Sequence, residues 1–532
     1  MADPKLATKN PPGRNELLAK RRRLTAMAGL KHITDSQLAF ILREVADVVG
    51  DDDMAISRWA FGRHIKTEGA KYLSSISLTL VKGGEKTQYD WDVCRLDLLL
   101  NYFLDDSQFL RDVMQEAVRK YGNRLIPILY SDEMTPGDAF APDNKRKSWC
   151  FYVSFLELGA ANLCQAEVWL PIAILRSCIV NKTEGGLSNV YRRLMHAWFC
   201  GDPCSYGTQG FVARLDLPTM IVFGKVLFLA DLDGHRACYS WRGTSSLRPC
   251  FICRNCMKKG CAGCTSDSWL IDITCTDYER LDIATDEEAW AVVDLIKAAF
   301  ETMAPADLHK LEQAHGMNHN PFGILQDIAL RPFIKPSGIR IDPMHCMYVG
   351  GAMGHEMWKF MCSLKKEKLG FAEANAHVNA DWKYPFHMKD KVAAMRDSFS
   401  EKRKTAAGRR SGIRLMASQF VTVYPIIRRF AEVSETPKIE DNCKSFYAMC
   451  DVADVLQEAK LQHYSDRKVM ADQISELVIR YLKVREAVYG HDGTKPKHHK
   501  LMHLASQFLE DGMMLIRCEL WKPLTSTKMK HL

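Results

Sequence analysis

Residues 124–158 read RLIPILYSDEMTPGDAFAPDNKRKSWCFYVSFLEL, and this stretch decides the fold. Arg124 to Tyr130 is a short apolar run that ends in Ser131-Asp132-Glu133. A turn signal follows at Pro136-Gly137, and Ser148 to Leu158 then returns rich in aromatic and β-branched residues. Short apolar runs bounded by turn residues predict strands. Val168 to Val180 predicts a third strand. Leu187, Val190, Tyr191, Leu194 and Trp198 share one face of a following helix, and Thr219 to Ala230 forms a fourth strand that stops at Asp231. The predicted order is strand, strand, strand, helix, strand, with an aspartate closing the first and the fourth.

Outward from this core the texture is helical. Residues 1–25 are basic and read as a poorly ordered tail. Residues 26–120 read as a mainly helical domain, with Leu38, Ile41, Leu42 and Val45, and again Leu96, Leu99, Leu100 and Phe103, at helix spacing. Beyond Asp277 the pattern is helical again, apart from an extended piece at Gly338 to Ile341. The expected division is a core over 121–245 that resumes over 276–360, a cysteine-rich insertion at 246–275, a helical insertion at 361–495, and the end of the core at 496–532.

The chain has 532 residues, 47% of them apolar and 26% charged, which suits a folded protein of several domains. Its 72 basic against 64 acidic side chains give a net charge of +8, which permits a nucleic-acid partner without requiring one. No apolar run nears the roughly 18 to 20 residues that span a bilayer. The polar start, MADPKLATKNPPGRNELLAKRRR, does not read as a secretory signal. Most of the eighteen cysteines are scattered through apolar segments, the pattern of an intracellular protein with reduced thiols.

Acids at the ends of neighbouring strands lie at the mouth of a sheet, where open α/β folds bind ligands. Two carboxylates there can share divalent cations, and Mg2+ or Mn2+ suits oxygen ligands and phosphodiester chemistry. Aspartate also serves as a turn or helix-cap residue, and spacing alone leaves both roles open.

Cys250-x2-Cys253-x2-Cys256-x4-Cys261-x2-Cys264 places five thiols in fifteen residues. Two Cys-x-x-Cys knuckles around a short basic loop can wrap one structural Zn2+. By spacing, Cys250, Cys253, Cys261 and Cys264 are the expected ligands, with Cys256 as an alternative. Three basic stretches stand out: Arg21-Arg22-Arg23; Lys145-Arg146-Lys147; and Lys402-Arg403-Lys404 with Arg409, Arg410 and Arg414. Each reads as a solvated face or as a set of phosphate contacts, and the first doubles as a nuclear-import signal.

Three blocks carry a resemblance. ILYSDEMTPGDAFAPDNKRKSWCFYVSFLELG resembles the first catalytic strand and hairpin of CACTA (En/Spm)-like and related DDE transposases. ADLDGHRACYSWRGTSSLRPCFIC resembles their second catalytic block, an Asp followed by Trp-x-Gly and a Cys-x-x-Cys pair. GIRIDPMHCMYVGG resembles their Asp-x-x-His signature. The blocks keep the family's order over roughly residues 120–360, and TKPKHHKLMHLASQF is a further, weaker match. The resemblance implies an α/β ribonuclease-H-like core, with Asp132 and Asp231 as ligands for Mg2+ or Mn2+. Asp342 and His345 would brace the active site or contact DNA beside it, unless they are simply a salt-bridged structural pair. It further implies a nuclear protein that acts as a homo-oligomer on double-stranded DNA, both transposon ends and target.

The family's third carboxylate is a glutamate on a helix that opens with a Glu-Arg-Lys-like motif. Here the corresponding stretch reads CELWKPLTSTKMKHL, where Glu519 is the one acid after Asp511 and Pro523 disfavours a helix. Glu519 is the candidate and Glu356 the alternative. The expectation is a C-terminal truncation or divergence that weakens catalysis. That leaves two functions: a DNA transposase performing metal-dependent phosphodiester hydrolysis and strand transfer, or an inactive, transposase-derived, zinc-containing DNA-binding protein.

Overall fold

The computed structural model describes residues 71–134, 147–201, 205–380, 398–461, 465–491 and 493–512. The chain divides into two units, one of residues 1–74 with 521–532 and one of Ser75–Leu520. Nearly all described residues belong to the second. The tail at 1–25, Lys145, Arg146 and Glu519 lie outside the described residues.

The described part of the expected N-terminal helical domain opens instead with two strands, β1 (Leu73–Lys82) and β2 (Glu85–Cys94). Gly83 and Gly84 join them with φ of +60° and +89°, the left-handed pair that a two-residue hairpin turn requires. Ile76 and Leu78 alternate inward along β1, a period of two rather than of a helix. Helices follow at α1 (Leu96–Asp106) and α2 (Gln108–Tyr121), where Leu96, Leu99, Leu100 and Phe103 are buried as their spacing predicts.

The central sheet holds five strands: β3 (Pro127–Met134), β4 (Ser148–Phe155), β5 (Leu170–Arg176), β6 (Leu227–Ala230) and β7 (Ile339–Ile341). Their spatial order is β7-β6-β3-β4-β5. The pairs β3–β4 and β4–β5 are antiparallel, whereas β6 runs parallel to β3 and β7 parallel to β6. Thr219 to Ala230, expected as one strand, is two. Thr219–Phe223 pairs with Arg124–Leu125 and Phe211–Ala213 in a side sheet, and the chain enters β6 only after Gly224.

Helix α3 (Gly186–Phe199) packs on one face of the sheet, with Tyr191 between Phe151 and Phe228 at ring-centroid distances of 5.4 and 5.7 Å. Each such buried aromatic contributes about 1.5–3 kcal/mol from leaving water. Helix α4 (Leu232–Tyr239) follows β6, then α5 (Asp286–Thr302) and α6 (Pro305–His315). The short α7 (Pro343–Met347) follows β7.

The remainder is helical: α8 (Ala352–Ser363), α9 (Phe371–Val378), α10 (Glu401–Arg410), α11 (Ala417–Ser434), α12 (Glu440–Leu461), α13 (Arg467–Tyr489) and α14 (Pro496–Asp511). A continuous apolar core runs through them from Ile341 to Phe508. Helix α14 returns to the sheet's open edge. The Gln507 amide donates to Ile341 O and accepts from Ile341 N, both at 2.9 Å, satisfying backbone groups that an edge strand leaves bare. The buried Arg340 forms an ion pair with the Asp511 side chain beside it. Among the described residues no helix is long and apolar enough to cross a membrane.

Candidate metal centres

Three aspartates lie level across adjacent strands. Tyr130 pairs with Leu229, so the same register sets Asp132 opposite Asp231. Ile341 pairs with Ala230, which sets Asp342 on the other side of Asp231. Parallel neighbours are about 4.8 Å apart, so the row is a band of acid along the C-terminal edge of β3, β6 and β7. Asp132 is not past the end of its strand as expected. It sits within β3, paired with Cys150 of β4, two residues after the parallel pairing with β6 ends.

Local structure fixes each side chain. Asp231 is the N-cap of α4, accepting from Gly234 N at 2.6 Å. A Cβ on Gly234 would lie 3.1 Å from that carboxylate and 3.0 Å from Ala230 Cβ, so the glycine gives the cap its room. Asp342 caps α7 through Met344 N at 2.8 Å, with Pro343 in the first turn, and its other oxygen holds His345 Nδ1 at 2.6 Å.

The charges are strongly interdependent. Burial lifts the Asp132 carboxyl to about 7; His345 opposes the rise, while Asp231 and Asp342 add to it. Burial works against charge on His345, but Asp342, then Asp231 and Asp132, outweigh it and lift the imidazole to about 9. A divalent cation is the natural complement of such a row, because it favours the ionised form of Asp132 that burial and the neighbouring acids oppose.

Other expected residues fall elsewhere. Glu356 has no exposure and lies inside the helical core, 2.7 Å from Ser445 Oγ, 3.1 Å from Tyr481 Oη and 3.7 Å from the buried Arg485. It belongs to helix packing and is not a third ligand. Lys147 is paired to Glu133 at 2.9 Å. Lys402, Arg403 and Arg409 are exposed on α10, where Lys404 is half-buried; nothing is described of the Arg410 side chain.

The thiol cluster divides differently from its expected form. Cys250 and Cys253 face two histidines of α14, His499 and His503, and all four are buried. Cys250 Sγ is 3.5 Å from His503 Nε2; Cys253 Sγ is 3.5 Å from His499 Nε2 and 3.2 Å from His503 Nε2; the two Nε2 atoms are 3.3 Å apart. A tetrahedron with zinc–sulfur bonds near 2.3 Å and zinc–nitrogen bonds near 2.0–2.1 Å has edges of about 3.3–3.6 Å between such atoms. The donor set fits Zn2+, and four protein ligands leave no open position. Burial opposes ionisation of Cys250, but Cys253 and the charges of His503 and His499 outweigh it and hold the thiol well below its ordinary value.

Cys261 and Cys264 are therefore not the third and fourth ligands. Cys256–Met257 pairs with Ile271–Asp272, and beyond it the chain turns at Lys258–Cys264, leaving both thiols half-buried and apart from the first pair. Cys256 is buried against Ile271 and Ile273. The cluster is thus half of a long-range site rather than a self-contained knuckle. The missed signal is His499-x3-His503, a one-turn spacing that puts two imidazoles on one helix face. Among the described residues, these four form the one group of three or more Cys, His, Asp or Glu whose ligand atoms all lie within 4.8 Å of one another.

No protein-family model matches the chain, and no curated protein matches it.

Proposed function

We propose that this chain is a DDE-type DNA transposase, or a protein derived from one, built on a ribonuclease-H-like core. The observation that carries the proposal is the row of Asp132, Asp231 and Asp342 level across three adjacent parallel strands. The strand order, with the first three strands antiparallel and the fourth and fifth added in parallel beside the first, supports the core assignment. Asp132 and Asp231 are the proposed ligands for Mg2+ or Mn2+, which when bound polarise a phosphodiester and activate water. Asp342 orients His345 and keeps it charged beside them, where an imidazolium would steady the scissile phosphate. The Cys2His2 site, loaded with Zn2+, pins α14 beside this edge. Double-stranded DNA is the proposed partner and the nucleus the proposed location, with the exposed cations of α10 as phosphate contacts.

A second reading has its own support. Both Asp342 oxygens are engaged by Met344 N and His345, so the row offers two carboxylates rather than three that are free to take a metal. This favours a DNA-binding, zinc-containing relative with little catalysis. Nicking of supercoiled plasmid in Mg2+ or Mn2+ separates the two. Nicking that Asp231→Asn abolishes supports the transposase; retained DNA binding without nicking supports the second reading, and absence of both overturns the proposal.

A further inference from the structure

A cavity of about 930 Å3 opens beside the acid row, between Asp231 and His345 on one side and Cys250 on the other. Its size lies in the range of small-molecule and nucleotide sites. Cations outnumber acids on its wall. Arg254 is paired to Asp282 and Glu288, and Arg236 to Asp233. Lys497 is fixed by the carbonyls of His345 and Val349 at 2.8 and 3.0 Å.

Lys500 is the unusual one. It is only 4% exposed, lies on the cavity wall, and its ammonium sits 4.3 Å over the Phe251 ring, with no hydrogen bond or ion pair among the described residues. An ammonium on a cavity wall with no hydrogen-bonding partner among the described residues can be met by an anion brought into the cavity.

The same wall is aromatic. Trp241 is stacked on Phe251 at 4.1 Å and on Tyr239 at 5.0 Å. Trp269 is 56% exposed; its indole nitrogen is held by Asp282 at 2.7 Å and the Arg254 guanidinium lies 5.6 Å over its ring. That leaves a fixed, solvent-facing indole on the wall of a cationic cavity. Base–aromatic stacking tolerates any base and pairs naturally with a backbone-binding cation.

We infer that this cavity binds a single unpaired nucleotide, its phosphate taken by Lys500 and its base stacked on Trp269. The inference rests on the nucleic-acid reading of the acid row and deepens it. The site would hold a nucleotide drawn out of the duplex next to the phosphate presented to Asp132 and Asp231. Unstacking a base costs a few kcal/mol, and a pocket with an anion anchor and an aromatic face is what offsets it.

The test is calorimetric titration of the full zinc-loaded chain, without added Mg2+ or Mn2+, with a deoxynucleoside 5′-monophosphate. Inorganic phosphate and the matching nucleoside are titrated in parallel. The nucleotide should bind at least tenfold more tightly than either alone and be displaced by single-stranded but not duplex oligonucleotide. Lys500→Met and Trp269→Ala should each weaken it at least fivefold. Unchanged zinc content and thermal midpoint must show that Lys500→Met folds; Trp269, being exposed, gives a second variant that does not depend on this. Asp132→Asn should leave nucleotide binding unchanged while removing plasmid nicking, so failure of the metal reading and failure of the cavity reading give different results. No nucleotide binding at millimolar concentration, indifference to both variants, or phosphate binding as tightly as nucleotide would overturn the inference.

Discussion

The acid row and the Cys2His2 site stand near one another yet are built in opposite ways. Asp132, Asp231 and Asp342 come from adjacent strands and are aligned by sheet register; Asp231 lies on the wall of an open cavity. Cys250, Cys253, His499 and His503 are buried, joined across 246 residues, and closed to any fifth ligand. An open, oxygen-rich site suits exchange and chemistry, whereas a closed sulfur–nitrogen site suits structure. The closed site also positions the open one, because α14 carries its two histidines and contacts β7 through Gln507 and Asp511.

The largest expected effect tests this division. Replacing Cys253 with Ser should lower zinc content from one equivalent towards none and cost more than about 4 kcal/mol of unfolding free energy. Zinc analysis together with denaturant titration checks it; a stable, metal-free chain would show that the four residues are mere packing. Next in size is Glu356→Ala, which removes the buried carboxylate that Arg485, Ser445 and Tyr481 face in the helical core and should cost about 3–5 kcal/mol. A loss of stability under about 1 kcal/mol in denaturant titration would make Glu356 a candidate ligand again.

Asp231→Asn preserves the helix cap, since asparagine caps as well as aspartate, and should leave stability nearly unchanged. Its plasmid nicking should fall by at least about a hundredfold, the scale on which misplaced reacting groups lose rate. Equal nicking by the variant would remove Asp231 from the metal site.

A smaller effect concerns pH. The Asp132 carboxyl ionises near 7 in the folded chain but near 3.8 unfolded, so between these values the folded state binds the extra proton. Without divalent metal, this group's contribution to stability therefore declines as pH rises from about 4 to about 7. Mg2+ or Mn2+ needs the ionised form, so metal-induced thermal stabilisation should grow between pH 6 and pH 8. Stabilisation independent of pH would mean that Asp132 is not a ligand. Smallest of all, replacing Lys402, Arg403 and Arg409 together with Ala should flatten the salt dependence of DNA binding. The log–log slope should fall by about 0.9 for each phosphate that the variant no longer neutralises. An unchanged slope would leave α10 as a solvated surface.

The sequence by itself determined what neighbouring residues control. The apolar runs at 124–130 and 148–158 and the turn between them specify strands. Asp231-Leu232-Asp233-Gly234 specifies a capped helix start, and Cys250-x2-Cys253 half of a metal site. Where the sequence misleads, the cause is local too. The helix spacing near Leu96 does not reach back over residues 73–94, where alternation and Gly83-Gly84 make a hairpin, and the thiols nearest in sequence are not the ligands. Only the tertiary structure decided that Asp342 stands level with Asp231, because register is set by cross-strand pairing. Only it decided that His499 and His503, not Cys261 and Cys264, meet Cys250 and Cys253. A histidine pair on a helix face announces two ligands by its spacing, but which thiols it meets depends on where α14 docks. That docking is set by packing across the whole helical core and by the Gln507 and Asp511 contacts, none of which lies within local reach of residue 250.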